Sequence, residues 1–162
     1  MSERATALAE RFEQICADVV ATVERCSDAN WERRCTGEGW SVSVVAHHIA
    51  SAMGPAHSFV ETIARGDILP PVTSEMLDEG NAKHAEAGSY SRAETLSLLR
   101  EQGQAIAANL RRLTDEQLDR TGAMPLTGGQ PMSAATMTEL GLIGHPTGHL
   151  ASIKSALGHA AA

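Results

Sequence analysis

The sequence predicts an all-α fold: four long helices in a single domain spanning residues 1–162. Two observations carry this expectation. Hydrophobic residues make up 43% of the chain but aromatics only 3%, so the core must be assembled from Leu, Ile, Val, Met and Ala. That mixture suits close-packed helices and leaves strand formers scarce. Apolar residues also recur at three- and four-residue steps over long segments, the stripe of a helix that buries one face. A chain of this length can fold alone around one core, and no repeat or low-complexity stretch divides it.

The first helix spans about Thr6 to Cys26, with Leu8, Phe12, Ile15, Val19, Val23 and Cys26 on its inner face. Ser27-Asp28-Ala29-Asn30 ends it. Trp31 is expected to pack back on the bundle, and Thr36-Gly37-Glu38-Gly39 to turn into the next element. The second helix starts near Ser41, an N-cap preceded by Trp40 as an apolar staple, and turns Val42, Val45, Ile49, Ala52 and Met53 inward. It runs to about Arg65, with a kink expected at Gly54-Pro55 because proline cannot donate to the backbone ladder.

Leu69-Pro70-Pro71 breaks the pattern, and a short helix from Ser74 to Ala87 lies within a long crossover. Ser91-x-x-Glu94 is a capping box that opens the third helix, striped by Leu96, Leu99, Ile106, Leu110 and Leu113 with a slip of register around Gly103. Thr114-Asp115-Glu116-Gln117-Leu118 reads as a capped turn. Met124 to Met132 reads as a loop stiffened by prolines, with a tight turn at Gly128-Gly129. Ser133 opens the last helix, which carries Met137, Leu140, Ile143, His149, Ile153 and Leu157 and ends at Gly158.

Several classes of function are disfavoured at this level. A net charge of −7 repels a phosphate backbone, and one Tyr, two Phe and no basic cluster offer nothing for stacking on bases. No apolar run approaches the roughly 20 residues of a membrane span, and the first residues lack the apolar core of a signal peptide. These features predict a cytoplasmic protein with no nucleic-acid or membrane partner. Cys16, Cys26 and Cys35 form no Cys-x-x-Cys pair. The first two would lie about 15 Å apart along one helix, too far for a disulfide, so buried, inert thiols are expected.

The histidines carry the chemistry. His145 and His149 stand four residues apart on the last helix, on one face and one turn from each other, which is metal-ligand spacing. The glutamate that follows the first histidine in zinc proteases is missing, since position 146 is Pro, and a third ligand must come from elsewhere. His48, three residues after Val45 and four before Ala52, lies on the buried side of the second helix. There it reads either as a hydrogen-bonded core residue or as a ligand. His47 sits about 100° round and is expected to face water. His57, His84 and His159 are assigned to the surface or the crossover, and Glu139 is a candidate partner of the site only by its place in the chain.

Gly39-Trp40-Ser41-Val42 leads into a helix whose His48 follows Trp40 by eight residues, and the chain closes on His145-x-x-x-His149-Leu150-x-x-Ile153. With Leu113-Thr114-Asp115-Glu116-Gln117-Leu118 and Leu77-Asp78-Glu79-Gly80-Asn81-Ala82, these motifs resemble the DinB-like superfamily over nearly the whole chain. The resemblance implies an up-down-down-up four-helix bundle with a long crossover between the second and third helices. In such a bundle His48, His145 and His149 bind a divalent metal, with zinc or nickel expected.

It further implies a relation to S-transferases that use mycothiol or bacillithiol and to the N-terminal domain of maleylpyruvate isomerase. The expected activity is conjugation of a low-molecular-weight thiol to an electrophile, in a homodimer. The other reading is a non-catalytic, metal-binding stress-response bundle that acts through dimerisation. Three imidazoles from two facing helices can leave a coordination position free, which suits chemistry; a closed site would suit the non-catalytic reading. Inward Glu-x-x-His pairs are absent, which disfavours di-iron chemistry. Pro146 departs from the pattern and is expected to bend the last helix between its two histidines. Gly141, Gly144 and Gly148 mark a face that another helix could approach closely.

Overall fold

The computed structural model describes residues 2–159. Four long helical rods form the bundle: α1 (Glu3–Glu24), α3 (Val42–Arg65), α5 (Arg92–Arg111) and a composite last rod. Each start is fixed by a side chain that accepts from an otherwise orphaned backbone N–H: Ser2 from Ala5, Ser41 from Val44 and Ser91 from Glu94. The α1 helix packs on α5, α5 on α3, and the last rod closes against α3 and α1. Their shared core holds Phe12, Val19, Ile49, Met53, Leu99, Ile106, Leu110, Leu142 and Ile153, each contributing about 1.5–3 kcal/mol of burial. Gly103 lies where α5 crosses α1, and a Cβ there would stand 3.4 Å from Cys16 Sγ. Gly103 is itself buried between Leu99 and Ile106, so the inward stripe of α5 runs through it with no slip of register.

Segments read as turns prove more ordered than expected. Residues 27–31 form a further helical turn, α2 (Asp28–Trp31), capped by Ser27. Trp31 is buried as expected, and its indole Nε1 donates to the Tyr90 carbonyl at 2.9 Å. After the crossover helix α4 (Ser74–Glu86) and after α5, the short α6 (Asp115–Asp119) carries a complete capping box between Thr114 and Gln117. The expected loop over 124–132 is a correction. It belongs to an antiparallel hairpin, β1 (Thr121–Met124) with β2 (Gln130–Ser133), joined by a 3₁₀ turn at Pro125–Thr127. Gly128 and Gly129 make the reversal possible by taking φ of 69° and 82°. Pro131 is tolerated opposite Ala123 because a two-stranded ladder has only edges.

Pro55 leaves α3 helical throughout its span. It sits on the exposed side, where the carbonyl it leaves without a partner can be hydrated. The last rod consists of α7 (Ala134–Met137), a π-helical turn (Thr138–Gly144) and α8 (His145–Ala156). Among the described residues no helix is long and apolar enough to cross a membrane.

Candidate metal centre

Packing of α8 against α3 brings His48, His145 and His149 together. His145 Nε2 lies 3.1 Å from His48 Nε2 and 3.2 Å from His149 Nε2, and one ligand nitrogen from each of the three falls within a common 4.8 Å. Two nitrogens bound tetrahedrally to one zinc at 2.0–2.1 Å stand roughly 3.3 Å apart, so the set fits a metal of that size. Burial, with help from the neighbouring imidazoles, pulls His48 down to about 4; burial, and then His149, does the same to His145. Both rings are therefore neutral at pH 7, as ligands must be. No fourth Cys, His, Asp or Glu joins the cluster among the described residues.

Pro146 does not part the two histidines. The widened turn lies upstream of it, and the His145 N–H donates to the Leu140 carbonyl, five residues back. His145 and His149 then share the regular helix α8, so their rings keep the one-turn relation read from the spacing. Gly141 faces Ala56 of α3 inside the bundle, while Gly144 and Gly148 are exposed.

The loop before α3 supplies a residue that the sequence reading passed over. Cys35 N–H donates to the Trp40 carbonyl and Val42 N–H to the Arg33 carbonyl, both at 2.8 Å, closing a tight loop in which Gly39 takes φ 73°. At its tip Glu38 turns inward: Oε1 lies 2.7 Å from His149 Nδ1, and Oε2 accepts from Ser152 Oγ at 2.5 Å. Burial alone would raise this carboxyl, but the bonds from Ser152 and His149 offset it and hold Glu38 below its usual range. A carboxylate only accepts, so Nδ1 of His149 carries the proton and Nε2 offers its lone pair to the cluster. Gly37 permits the approach, since a Cβ there would stand 3.3 Å from Ser152 Oγ. The candidate proposed for this place, Glu139, is instead exposed and pairs with Arg11 at 2.9 Å. A carboxylate between two glycines, Gly37-Glu38-Gly39, immediately before the Trp40 staple was the available signal.

His47 departs from expectation, and His84, in the crossover as expected, reaches the same site. His47 does not simply face water: its ring stacks on Tyr90 at 3.8 Å and on His84 at 5.0 Å. His84, assigned to the crossover, reaches back from α4 to within 5.6 Å of the His48 ring, centre to centre. Trp40 completes this wall, meeting His48 edge-on at 5.4 Å. Burial lowers both His47 and His84. His57 stays apart from the cluster but is buried rather than exposed, because α3 is covered by other elements on several sides. The three cysteines are free and buried as expected; burial pushes Cys16 up to about 12 and Cys35 to about 11.

Two solved structures resemble this chain in fold. YfiT from Bacillus subtilis, described as "a probable metal-dependent hydrolase with an unusual four-helix bundle topology", superposes with a TM-score of 0.76 at 20% identity, over 99% of this chain and 91% of that one. The mycothiol-dependent maleylpyruvate isomerase does so with a TM-score of 0.72 at 12% identity, over 94% of this chain. This chain spans 63% of the isomerase's length. At such identities the two establish a shared four-helix-bundle fold. No curated protein matches the sequence. A family model, "Mycothiol maleylpyruvate isomerase N-terminal domain", matches residues 12–141 and so takes in Glu38 and His48 while stopping just short of His145. With that match across most of its length, the chain belongs to the mycothiol maleylpyruvate isomerase N-terminal domain family, within the DinB-like superfamily.

Proposed function

We propose that His48, His145 and His149 hold one divalent metal ion, zinc or nickel, and that the protein is a metal-dependent S-transferase joining a low-molecular-weight thiol to an electrophile. The observation that carries this reading is the convergence of three imidazoles with no fourth protein donor among the described residues. An incomplete donor set favours catalysis over a closed structural site. When bound, a divalent cation would supply Lewis acidity, which favours thiolate over thiol near neutral pH.

The chain's own part is to hold and orient. Burial keeps His48 and His145 neutral and ready to ligate. Glu38, itself held by Ser152, fixes which nitrogen of His149 faces the cluster. Trp40 and His84 shield the flank of His48. The donors and Glu38 all come from one chain, so the site as proposed does not need a second copy to be complete.

Elemental mass spectrometry of the purified protein tests the metal directly. About one ion per chain is expected, as for a single three-histidine site, and its loss in each of His48→Ala, His145→Ala and His149→Ala. Absence of metal after reconstitution with zinc or nickel sinks the reading. With metal in place, conjugation of mycothiol, bacillithiol or glutathione to monochlorobimane tests the transferase step. Full metal occupancy with no turnover of any thiol would favour the non-catalytic, stress-response reading.

A further inference from the structure

The crossover helix α4 is held in place by few contacts. None of its 13 residues is buried, and only Asn81, His84 and Ala85 are even partly covered. Those three share one helix face by their spacing, so that face brings an amide, an imidazole and a methyl group but no large apolar side chain. Met76 and Leu77, the large apolar residues of α4, stay 54% and 46% exposed. Isolated helices shorter than roughly 12–15 residues are marginal in water, so α4 depends on its few contacts to persist.

Both flanks of α4 are anchored on the bundle. Leu69 is buried against Gly122, where a Cβ would stand 3.4 Å from its Cδ1. Tyr90 N–H donates to Ser43 Oγ at 2.7 Å, and the Tyr90 carbonyl accepts from Trp31 Nε1 at 2.9 Å. Between these posts the chain can bend in two places: residues 70–73, which form no regular structure, and Gly88, with φ 74° just beyond the helix. Loop and element-terminal positions of this kind serve as hinges.

The contact that closes α4 onto the bundle is His84. Its ring stacks on Tyr90 at 4.7 Å and on His47 at 5.0 Å, and stands edge-on to His48 at 5.6 Å. Its carbonyl accepts from Tyr90 Oη at 3.0 Å. Beside this contact the last turn of α4 stands off from the bundle, leaving a cavity of about 290 Å³ walled by Trp40, Val44, Ala85 and Gly88.

We propose that α4 is a lid over the three-histidine cluster, hinged at residues 70–73 and at Gly88, latched by His84, and opened by local unfolding while the four rods stay folded. Opening uncovers the flank of His48 and the cavity beside Trp40 together. That a metal lies beneath the lid rests on the function proposed above; the opening of α4 does not.

Hydrogen exchange read by mass spectrometry on the metal-free full chain tests the opening in the wild type, Gly80→Ala and His84→Ala. Gly80 lies mid-helix with open space where a Cβ would stand, so alanine there strengthens α4 without touching the cluster. In the wild type, α4 amides should exchange about a hundredfold faster than those of α3 and α5. Exchange in α4 should slow about fivefold in Gly80→Ala and quicken by up to about tenfold in His84→Ala, with α3 and α5 unchanged. On the zinc-loaded chain, stripping of zinc by excess EDTA tests what the lid covers, and should slow in Gly80→Ala by the same factor as α4 exchange. Exchange of α4 as slow as that of α3, no response of α4 to either variant, or zinc loss that ignores Gly80→Ala overturns the proposal. A chain that takes up no zinc yet shows fast, variant-sensitive exchange in α4 sinks the metal reading and leaves the lid standing.

Discussion

His149 is gripped from behind its ring by Glu38 while its other nitrogen meets His145. Partners of this kind set both the tautomer and the basicity of a ligand, and their loss costs about 10–100-fold in metal affinity. Glu38→Gln should weaken zinc binding by about that factor in a chelator competition, since an amide can present its N–H to Nδ1 and release the tautomer. An unchanged dissociation constant would show that Glu38 serves only to seat the loop. Ser152→Ala should have a smaller effect in the same direction, because it frees one oxygen of Glu38 without removing its charge. His145 and His149 were legible in the sequence because helical periodicity fixes their relation. Glu38 was not, because a loop has no period and its partner lies in α8, far along the chain.

At the scale of elements, the last rod meets a proline by widening its turn rather than by breaking. The π turn ends at Gly144, so everything that sets the His145–His149 relation lies in α8. Pro146→Ala should therefore leave zinc affinity within about threefold of wild type, a change of under roughly 1 kcal/mol. A larger loss in the same competition assay would mean that the proline itself sets the spacing of the rings. The α1–α5 crossing makes a second prediction. A Cβ at Gly103 would stand in ordinary contact with Cys16, at 3.4 Å from its sulfur. Gly103→Ala should be neutral or stabilising by up to about 1 kcal/mol through helix propensity. Gly103→Leu should cost about 1–3 kcal/mol by overpacking. Urea denaturation midpoints of the two variants should thus move apart, and a tolerated leucine would show that this crossing is loose.

For the whole molecule, the buried imidazoles couple stability to pH. His48 and His145 titrate near 4 when folded and near 6.5 when unfolded. Above pH 6.5 neither state takes up these protons and full stability is present. As the pH falls from 6.5 through 4, the unfolded state binds protons that the folded state resists, so stability is lost across that window. Glu38, held below its usual range, acts in the same direction at lower pH. The metal-free protein should lose thermal stability on acidification from pH 7 to 4, and His48→Ala should flatten the slope. A wild-type melting temperature that stays constant over that range would contradict the burial of these rings.

By itself the sequence determined the four long rods, the caps of all but the first and the pairing of His145 with His149, because each follows from local periodicity and capping chemistry within one segment. The motif resemblance joined His48 to that pair, but only the tertiary structure decided that Glu38 rather than Glu139 stands behind it and that His84 returns to the wall of the site. It also decided that His57 is buried, that residues 121–133 pair as a hairpin and that Pro146 is absorbed by a π turn. Those outcomes depend on which surfaces the packed helices cover and on contacts between residues distant in the chain, and neither is encoded in the period of any one segment.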